Sequence, residues 1–159
     1  GADADSNALD RAEKSLFIRT LKMDLNDDWK ELNGEKFDVI VMGEIVEHLY
    51  FPEKTLKKVK NHLNENGVFL GSVPNAFSLI NRLRYLIGKK KNTPLEDPTH
   101  INHFSYCELD CLLCNEFQDV EILGLGRLGH LAKLLPSLFA FDLFFKASYK
   151  KRKNVVLND

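Results

Sequence analysis

The chain has 159 residues, of which 44% are hydrophobic and 28% are charged, and its formal net charge is −1. This size and composition are typical of one soluble globular domain. The nearly neutral charge argues against nucleic acid as a partner, because there is no basic excess to neutralise phosphates. No stretch near the start of the chain has the pattern of a secretion signal, so a cytoplasmic location is predicted.

Helical and extended patterns alternate along the chain. A helix is predicted from Ser6 to about Lys14, with Ser6 as its N-cap. The elements predicted after it are, in order, strands at 17–25 and 37–42, a helix at 53–63, a strand at 68–73, helices at 75–92 and 105–116, a strand at 118–125, a short helix at 128–135 and a strand at 142–149. Strands that alternate with helices predict an α/β fold with a doubly wound sheet.

The most informative segment is the run FDVIVMGEIVEHL at residues 37–49. Its apolar first half predicts a buried strand that ends at Gly43. If a helix begins near Glu44, then Glu44, Glu47 and His48 lie at positions i, i+3 and i+4 and share one face. Open α/β sheets bind ligands at the carboxyl ends of their strands. Two carboxylates and an imidazole are therefore predicted to converge where chemistry is expected.

Three blocks carry a resemblance to a known family. The run at 37–49, the run NGVFLGSVPN at 66–75 and the segment DPTHINHFS at 97–105 together resemble class I S-adenosylmethionine-dependent methyltransferases. The resemblance implies a Rossmann-like sheet, mostly parallel, with an antiparallel final strand. It also implies one domain over residues 1–149, followed by a polar tail at 150–159. The chain is predicted to begin after the first strand and the Gly-rich cofactor loop of that fold.

The resemblance implies four cofactor-binding residues. In this family an acidic residue that ends the second strand binds the cofactor ribose. That role falls on Asp3, with Asp5 as the competing candidate. Asp24 matches the residue that meets the adenine amino group, and the Leu25 N–H would face the adenine ring. Glu44 would line the methionine end of S-adenosylmethionine. The simpler alternative is that these acids are exposed or cap turns.

The cluster Glu44, Glu47 and His48 has three interpretations. Acids at the start of a helix are favoured by its positive end, so the cluster could serve structure alone. It could line the methionine end of the cofactor. It could also bind a divalent metal with His100, which is similar to ubiquinone-pathway O-methyltransferases and small-RNA 2′-O-methyltransferases. Carboxylate and imidazole ligands suit Mg²⁺, Mn²⁺ or Zn²⁺.

His100 and His103 lie in a predicted loop before the helix at 105–116. In the enzymes that the chain resembles, this loop faces the methyl acceptor. Either imidazole could take the proton from an accepting hydroxyl as the methyl group is transferred. His100 is the preferred catalytic residue, and it could instead be the fourth metal ligand. The alternative for both histidines is a structural role.

Two further patterns have competing interpretations. The spacing of Cys107, Cys111 and Cys114 is that of iron–sulfur ligands in radical S-adenosylmethionine enzymes, but it also fits one helix. We predict reduced thiols buried in the core, since free cysteine behaves as a small hydrophobic residue. Basic clusters at 89–91 and 150–153 lie near apolar segments, which leaves contact with a membrane surface open.

The predicted function is transfer of a methyl group from S-adenosylmethionine. The acceptor is predicted to be a hydroxyl of a small molecule, a sugar or another glycan such as a lipid-linked saccharide. The alternative is a truncated or degenerate methyltransferase-like domain that serves as a non-catalytic binding or assembly module. A sheet without its central strand must pair its backbone groups elsewhere, which leaves a homo-oligomer open and predicts weak cofactor binding by this chain alone.

Overall fold

The computed structural model describes residues 1–16, 18–127 and 129–149. These residues form two compact units, of which one is Gly1–Lys36 and the other begins at Phe37. The first unit contains strand β1 (Ala2–Asp3), helix α1 (Ser6–Leu16) and strand β2 (Leu21–Lys22), and the two strands pair in parallel. The predicted helix is confirmed, but its N-cap is Asp5, whose carboxylate accepts from the Asn7 N–H at 2.9 Å.

The predicted strand at 17–25 is much shorter in the structure, and Phe17 lies outside the described residues. After β2 the chain turns, because the Asp24 carboxylate accepts hydrogen bonds from the backbone and side chain of Asn26 at 2.8 and 3.0 Å. An aspartate that bonds the backbone two residues on stabilises a turn and competes with a sheet ladder. Asp24 therefore lies just beyond the carboxyl end of β2.

The second unit alternates strands and helices as predicted. Its elements are β3 (Phe37–Gly43), α2 (Pro52–His62), β4 (Leu63–Pro74), α3 (Leu79–Leu86), α4 (Tyr106–Cys114), β5 (Asp119–Leu125), α5 (His130–Leu134), α6 (Pro136–Phe139) and β6 (Asp142–Ser148). Short 3₁₀ helices occur at Val46–His48 and Pro94–Glu96. The predicted helix at 128–135 ends at Leu134, since Pro136 begins a separate helix.

The strand order in the second unit is β3-β4-β6-β5. Strand β4 is parallel to β3, and β6 is antiparallel to both β4 and β5. Three strands therefore run in one direction and the last runs against them, which confirms the predicted fold. Gly43 pairs with Ser72, and Asp142 pairs with Pro74. The start of β6 thus lies at the same edge of the sheet as the carboxyl ends of β3 and β4.

The core of this unit is built around β4. The Phe69 ring packs on Phe117 and Phe145, with centroid distances of 5.8 and 5.1 Å. Gly71 is required by the same packing, because a methyl group there would collide with the Phe145 ring and with the Met42 carbonyl. Close packing on β4 fixes the strand ends that carry the polar residues of the site.

The helix predicted to begin near Glu44 is wrong. Glu44 has a left-handed φ of 52°, and only one 3₁₀ turn (Val46–His48) follows before α2 begins at Pro52. The Glu44 N–H donates to the Ser72 carbonyl at 3.0 Å, which prolongs the sheet ladder and turns the chain away from a helix. Glu44, Glu47 and His48 therefore do not share a helix face.

The prediction that the cysteines are buried is also wrong. Helix α4 begins with a capping box formed by Ser105 and Glu108. Its buried side chains are Leu109, Leu112 and Leu113, whereas the exposed ones include Cys107, Cys111 and Cys114. The larger leucines occupy the core face because they bury more apolar area than cysteine.

Two predictions stay untested by the fold. The predicted tail at 150–159 lies outside the described residues. Within the described ranges, no helix is long and apolar enough to cross a bilayer. The cytoplasmic location remains a prediction.

Candidate functional site

The candidate site begins where β3 and β4 end. The Ser72 hydroxyl donates to the Glu44 carboxylate at 2.7 Å, which holds that side chain at the edge of the sheet. Burial and the nearby Glu44 charge raise the pKa of Asp142 on β6. The Glu44 and Asp142 carboxylates repel each other when both are charged. Their proximity therefore favours binding of a cation, or protonation of one of them.

Glu47 is a buried carboxylate. The residue is 1% exposed, and neither carboxylate oxygen has a hydrogen bond to any residue in the described part of the chain. Burial first, and the Glu44 charge in addition, raise the pKa of Glu47 from 4.5 to about 7. Buried polar groups in proteins are nearly always hydrogen-bonded, and an unpaired one is a common sign of a functional site. The Glu47 backbone, in contrast, is fixed by the Asn102 N–H at 2.8 Å.

His48 and His100 both have Nε2 on the side of the Glu47 carboxylate. The Nδ1 of His48 lies 2.9 Å from the Thr99 carbonyl, and the Nδ1 of His100 lies 3.0 Å from the Pro94 carbonyl. A carbonyl can only accept, so both Nδ1 atoms carry the hydrogen, and Nε2 of each neutral ring keeps its lone pair. The two ring centroids are 4.7 Å apart, and His48 Nε2 is 4.0 Å from Glu47 Oε1.

These three residues form a candidate metal-binding group. One ligand atom from each of Glu47, His48 and His100 lies within 4.8 Å of the others, and no second group of this kind occurs in the described part of the chain. Histidines that bind metals usually donate their other ring N–H to a carbonyl or carboxylate, as both histidines do here. The donor set therefore fits a divalent cation. Glu44, which was also predicted as a metal ligand, accepts a hydrogen bond from Ser72 and is not part of this group.

An additional carboxylate faces His100. Asp97 Oδ2 lies 3.8 Å from His100 Nε2. The side chain and the backbone of Thr99 donate to Asp97 at 2.6 and 2.8 Å, and these bonds lower the pKa of Asp97. The negative charge of Asp97 favours a cation or a protonated imidazole beside it.

His103 lies beside His100. Their ring centroids are 6.4 Å apart, and His103 Nε2 is buried with no hydrogen-bond partner among the described residues. Burial, together with the charges of His100 and Lys90, lowers the pKa of His103. The lowered pKa favours the neutral form of the His103 ring.

The other predicted cofactor residues belong to the first unit. Asp3 is the last residue of β1 and Asp24 follows β2, so both lie at carboxyl ends of adjacent parallel strands. Both side chains are exposed and each makes a local turn, since Asp3 accepts from the Asp5 N–H at 2.8 Å. The Leu25 carbonyl accepts from the Trp29 indole at 3.2 Å. This placement suits carboxylates that accept from ribose hydroxyls and adenine.

Sequence reasoning missed the residues that hold the site together. Ser72 positions Glu44, Asn102 fixes the 46–49 turn through two hydrogen bonds, and Asp142 enters from β6. Ser72 and Asn102 lie within motifs already singled out, at 66–75 and 97–105, so their position was a usable signal. Nothing local in the sequence marks Asp142, because its place depends on β6 lying next to β4.

Comparison with known proteins agrees with this architecture. A family model described as "Methyltransferase domain" matches residues 1–115. A SAM-dependent methyltransferase from Archaeoglobus fulgidus is 20% identical with a TM-score of 0.67, over 92% of this chain and 74% of that chain. One from Thermotoga maritima, described as a possible histamine N-methyltransferase, is 18% identical with a TM-score of 0.69, over 94% and 72%. The small RNA methyltransferase HEN1 is 16% identical with a TM-score of 0.68, over 95% and 20%. No curated protein sequence matches the chain.

The fold and the polar edge of the sheet thus define a methyltransferase domain of the S-adenosylmethionine-dependent class. The family model covers well over half of the 159 residues, and the chain belongs to that methyltransferase domain family. The resemblance inferred from the sequence blocks is confirmed.

Proposed function

We infer that this protein methylates a hydroxyl group, using S-adenosylmethionine as the donor. The observation that carries the proposal is the meeting of His48, His100 and the unpaired Glu47 carboxylate at the carboxyl edge of the sheet. Ligands bind at this edge in open α/β sheets. A hydroxyl must lose its proton as it accepts a methyl group, and this cluster supplies groups that can take it.

Each residue has a proposed role. The cofactor supplies an already activated methyl group on its sulfonium. Asp3 accepts from the ribose hydroxyls, Asp24 and the Leu25 N–H meet the adenine, and Glu44 lines the methionine end. His100 Nε2 takes the proton of the acceptor hydroxyl, since its Nδ1–H is bound to the Pro94 carbonyl. The chain mainly aligns the methyl donor with the acceptor, and such alignment accounts for much of the rate acceleration in a displacement reaction.

We also propose that Glu47, His48 and His100 hold a divalent cation (Mg²⁺, Mn²⁺ or Zn²⁺). The fit is supported by the orphaned carboxylate and by the two Nδ1–H···O=C bonds. A cation there would lower the pKa of a bound acceptor hydroxyl. His100 cannot use one nitrogen as both ligand and base, so metal binding decides between its two roles.

The acceptor is proposed to be a small molecule, a sugar or a lipid-linked saccharide. HEN1 is described as a small RNA methyltransferase. For the present chain, the net charge of −1 and the acidic edge formed by Glu44, Glu47 and Asp142 do not favour an RNA backbone.

Binding of the cofactor product tests the proposal. Calorimetric titration of the full-length protein with S-adenosylhomocysteine is expected to show saturable binding, which should be weak for residues 1–159 alone. Asp3→Asn should weaken it by about tenfold, because a charged hydrogen bond is lost. Asp5→Asn is the matched control and should bind normally, since asparagine still caps α1. Absence of binding by the unaltered protein would favour the non-catalytic module.

Metal binding is tested by thermal unfolding. After treatment with a chelator, added Mn²⁺, Mg²⁺ or Zn²⁺ is expected to raise the Tm by roughly 5–10 °C at saturating concentration. His48→Ala should abolish that rise, whereas His130→Ala, an exposed histidine at the start of α5, should keep it. If none of the three metals shifts the Tm of the unaltered protein, the metal site is wrong and His100 remains as the base.

A further inference from the structure

Helix α3 is amphipathic, but its polar side chains face the protein and its apolar side chains face solvent. Its inward side chains are polar: Asn81 is 2% exposed and donates to the Asn75 carbonyl at 3.0 Å, and the Tyr85 hydroxyl donates to the Ala76 carbonyl at 2.9 Å. Its apolar side chains face solvent, namely Leu79, Ile80, Leu83, Leu86 and Ile87. Surface helices normally bury their apolar face, so an exposed one is unusual and is a candidate interaction surface.

The exposed residues form one continuous stripe. At 3.6 residues per turn, the five side chains fall within an arc of about 120°. The stripe is most exposed at its carboxyl-terminal end, where Leu86 is 82% and Ile87 is 67% exposed. Single exposed apolar residues are ordinary on proteins, but a contiguous stripe marks an interaction surface.

Basic side chains border this stripe. Arg82 lies on its flank and is held there by a bond from Nε to the Phe77 carbonyl at 2.6 Å. Lys89, Lys90 and Lys91 follow the helix directly and are all exposed. An apolar helix face bordered by arginine and lysine is the arrangement of helices that lie in the headgroup region of a membrane.

The charges also decide against other occupants. A second copy of the chain docked face to face would present an equally basic border, so it offers no charge complementary to Arg82 and Lys89–Lys91. Residues 150–153 of the same chain are Lys, Lys, Arg and Lys, so their charge does not complement the patch either. An anionic lipid surface complements both the apolar stripe and its basic border.

We propose that α3 and Lys89–Lys91 bind the surface of an anionic bilayer, with the apolar stripe in the headgroup region. The basic cluster is close to the candidate site along the chain. The Lys90 carbonyl accepts from Thr93, and the next residue, Pro94, provides the carbonyl that binds His100. If the proposed methyl transfer is also correct, docking on a bilayer favours the lipid-linked saccharide as acceptor over a free small molecule or sugar.

Vesicle co-sedimentation of the full-length protein tests the docking. The protein is expected to bind vesicles of phosphatidylcholine that contain phosphatidylglycerol. Binding should be much weaker to vesicles without phosphatidylglycerol, or in high salt. Leu83→Asp combined with Ile87→Asp should reduce partitioning by at least about tenfold. Replacing Lys89, Lys90 and Lys91 by Gln should reduce it by about fivefold for each lysine.

The control is Leu123→Asp. Leu123 is exposed on β5, and its neighbour Gly124 faces α5 and α6, so Leu123 points to the opposite side of the sheet. This variant should bind vesicles normally, and circular dichroism should show all variants folded. Failure of the unaltered protein to bind anionic vesicles would overturn the proposal. So would self-association that Leu83→Asp with Ile87→Asp abolishes, because a second copy would then occupy the stripe. Neither readout depends on methyl transfer.

Discussion

Replacing His100 with Ala is expected to slow methyl transfer by about 10²–10⁴-fold, the range typical of losing a general base. The affinity for S-adenosylmethionine should change by less than about threefold, because the proposed role concerns the acceptor and not the cofactor. His100 Nδ1 is already bound to the Pro94 carbonyl, so only Nε2 is available for the chemistry. Steady-state methyl transfer and calorimetric cofactor binding on the same preparation give the comparison.

His130→Ala is the matched control for His100→Ala, since His130 is exposed on α5 and outside the cluster. It should leave both readouts unchanged. An equal loss of cofactor affinity and of transfer rate in His100→Ala would argue for a structural histidine. Loss of the metal-induced rise in Tm together with the rate would identify His100 as a ligand.

Replacing Glu47 with Gln is expected to stabilise the metal-free protein, and more so at high pH. The pKa of Glu47 is raised from 4.5 to about 7 in the folded state. The folded state therefore binds the proton more tightly, and stability is lost as pH rises from about 4.5 through 7. This shift corresponds to about 3 kcal/mol at most. Denaturant unfolding with a chelator present should show Glu47→Gln more stable than the unaltered protein near pH 8 and similar below about pH 4.5.

The same variant should lose the stabilisation by metal, because the carboxylate ligand is gone. Glu47→Gln would thus raise the stability of the metal-free protein and remove its stabilisation by metal. This combination is expected where a functional residue lowers the stability of the fold. Glu53→Gln, an exposed acid in the first turn of α2, is the control and should change stability by less than about 0.5 kcal/mol at either pH. If Glu47→Gln were destabilising near pH 8, the carboxylate would have a partner in solution.

Much of this fold could be predicted from the sequence because its signals are local. The apolar runs that became β3 and β4, and the Ser105–Glu108 capping box of α4, depend on neighbours a few residues away. The left-handed conformation of Glu44 could not be predicted, since glutamate rarely adopts it. It is stabilised by Ser72, which is 28 residues away in the chain.

The site was predicted in composition but not in geometry. His100 lies near Glu47 in the structure, while the roles of both residues remain predictions. The backbone of Glu47 is fixed by Asn102, a residue distant in the chain that no local pattern identifies. Helix α3 shows the same limit for a surface. The spacing of Ile80, Leu83 and Ile87 fits one face of a helix, and the structure leaves that face exposed. A periodic pattern identifies a face of a helix but does not say what that face contacts.

The two imidazole rings are bound to one short stretch of backbone. His48 Nδ1 is bound to the Thr99 carbonyl and His100 Nδ1 to the Pro94 carbonyl, while Asn102 fixes the backbone of Glu47. A shift of the 94–102 segment would therefore move both rings and the Glu47 backbone together. The three candidate metal ligands therefore share one support, and a substitution that displaces the 94–102 segment is expected to disturb all of them at once.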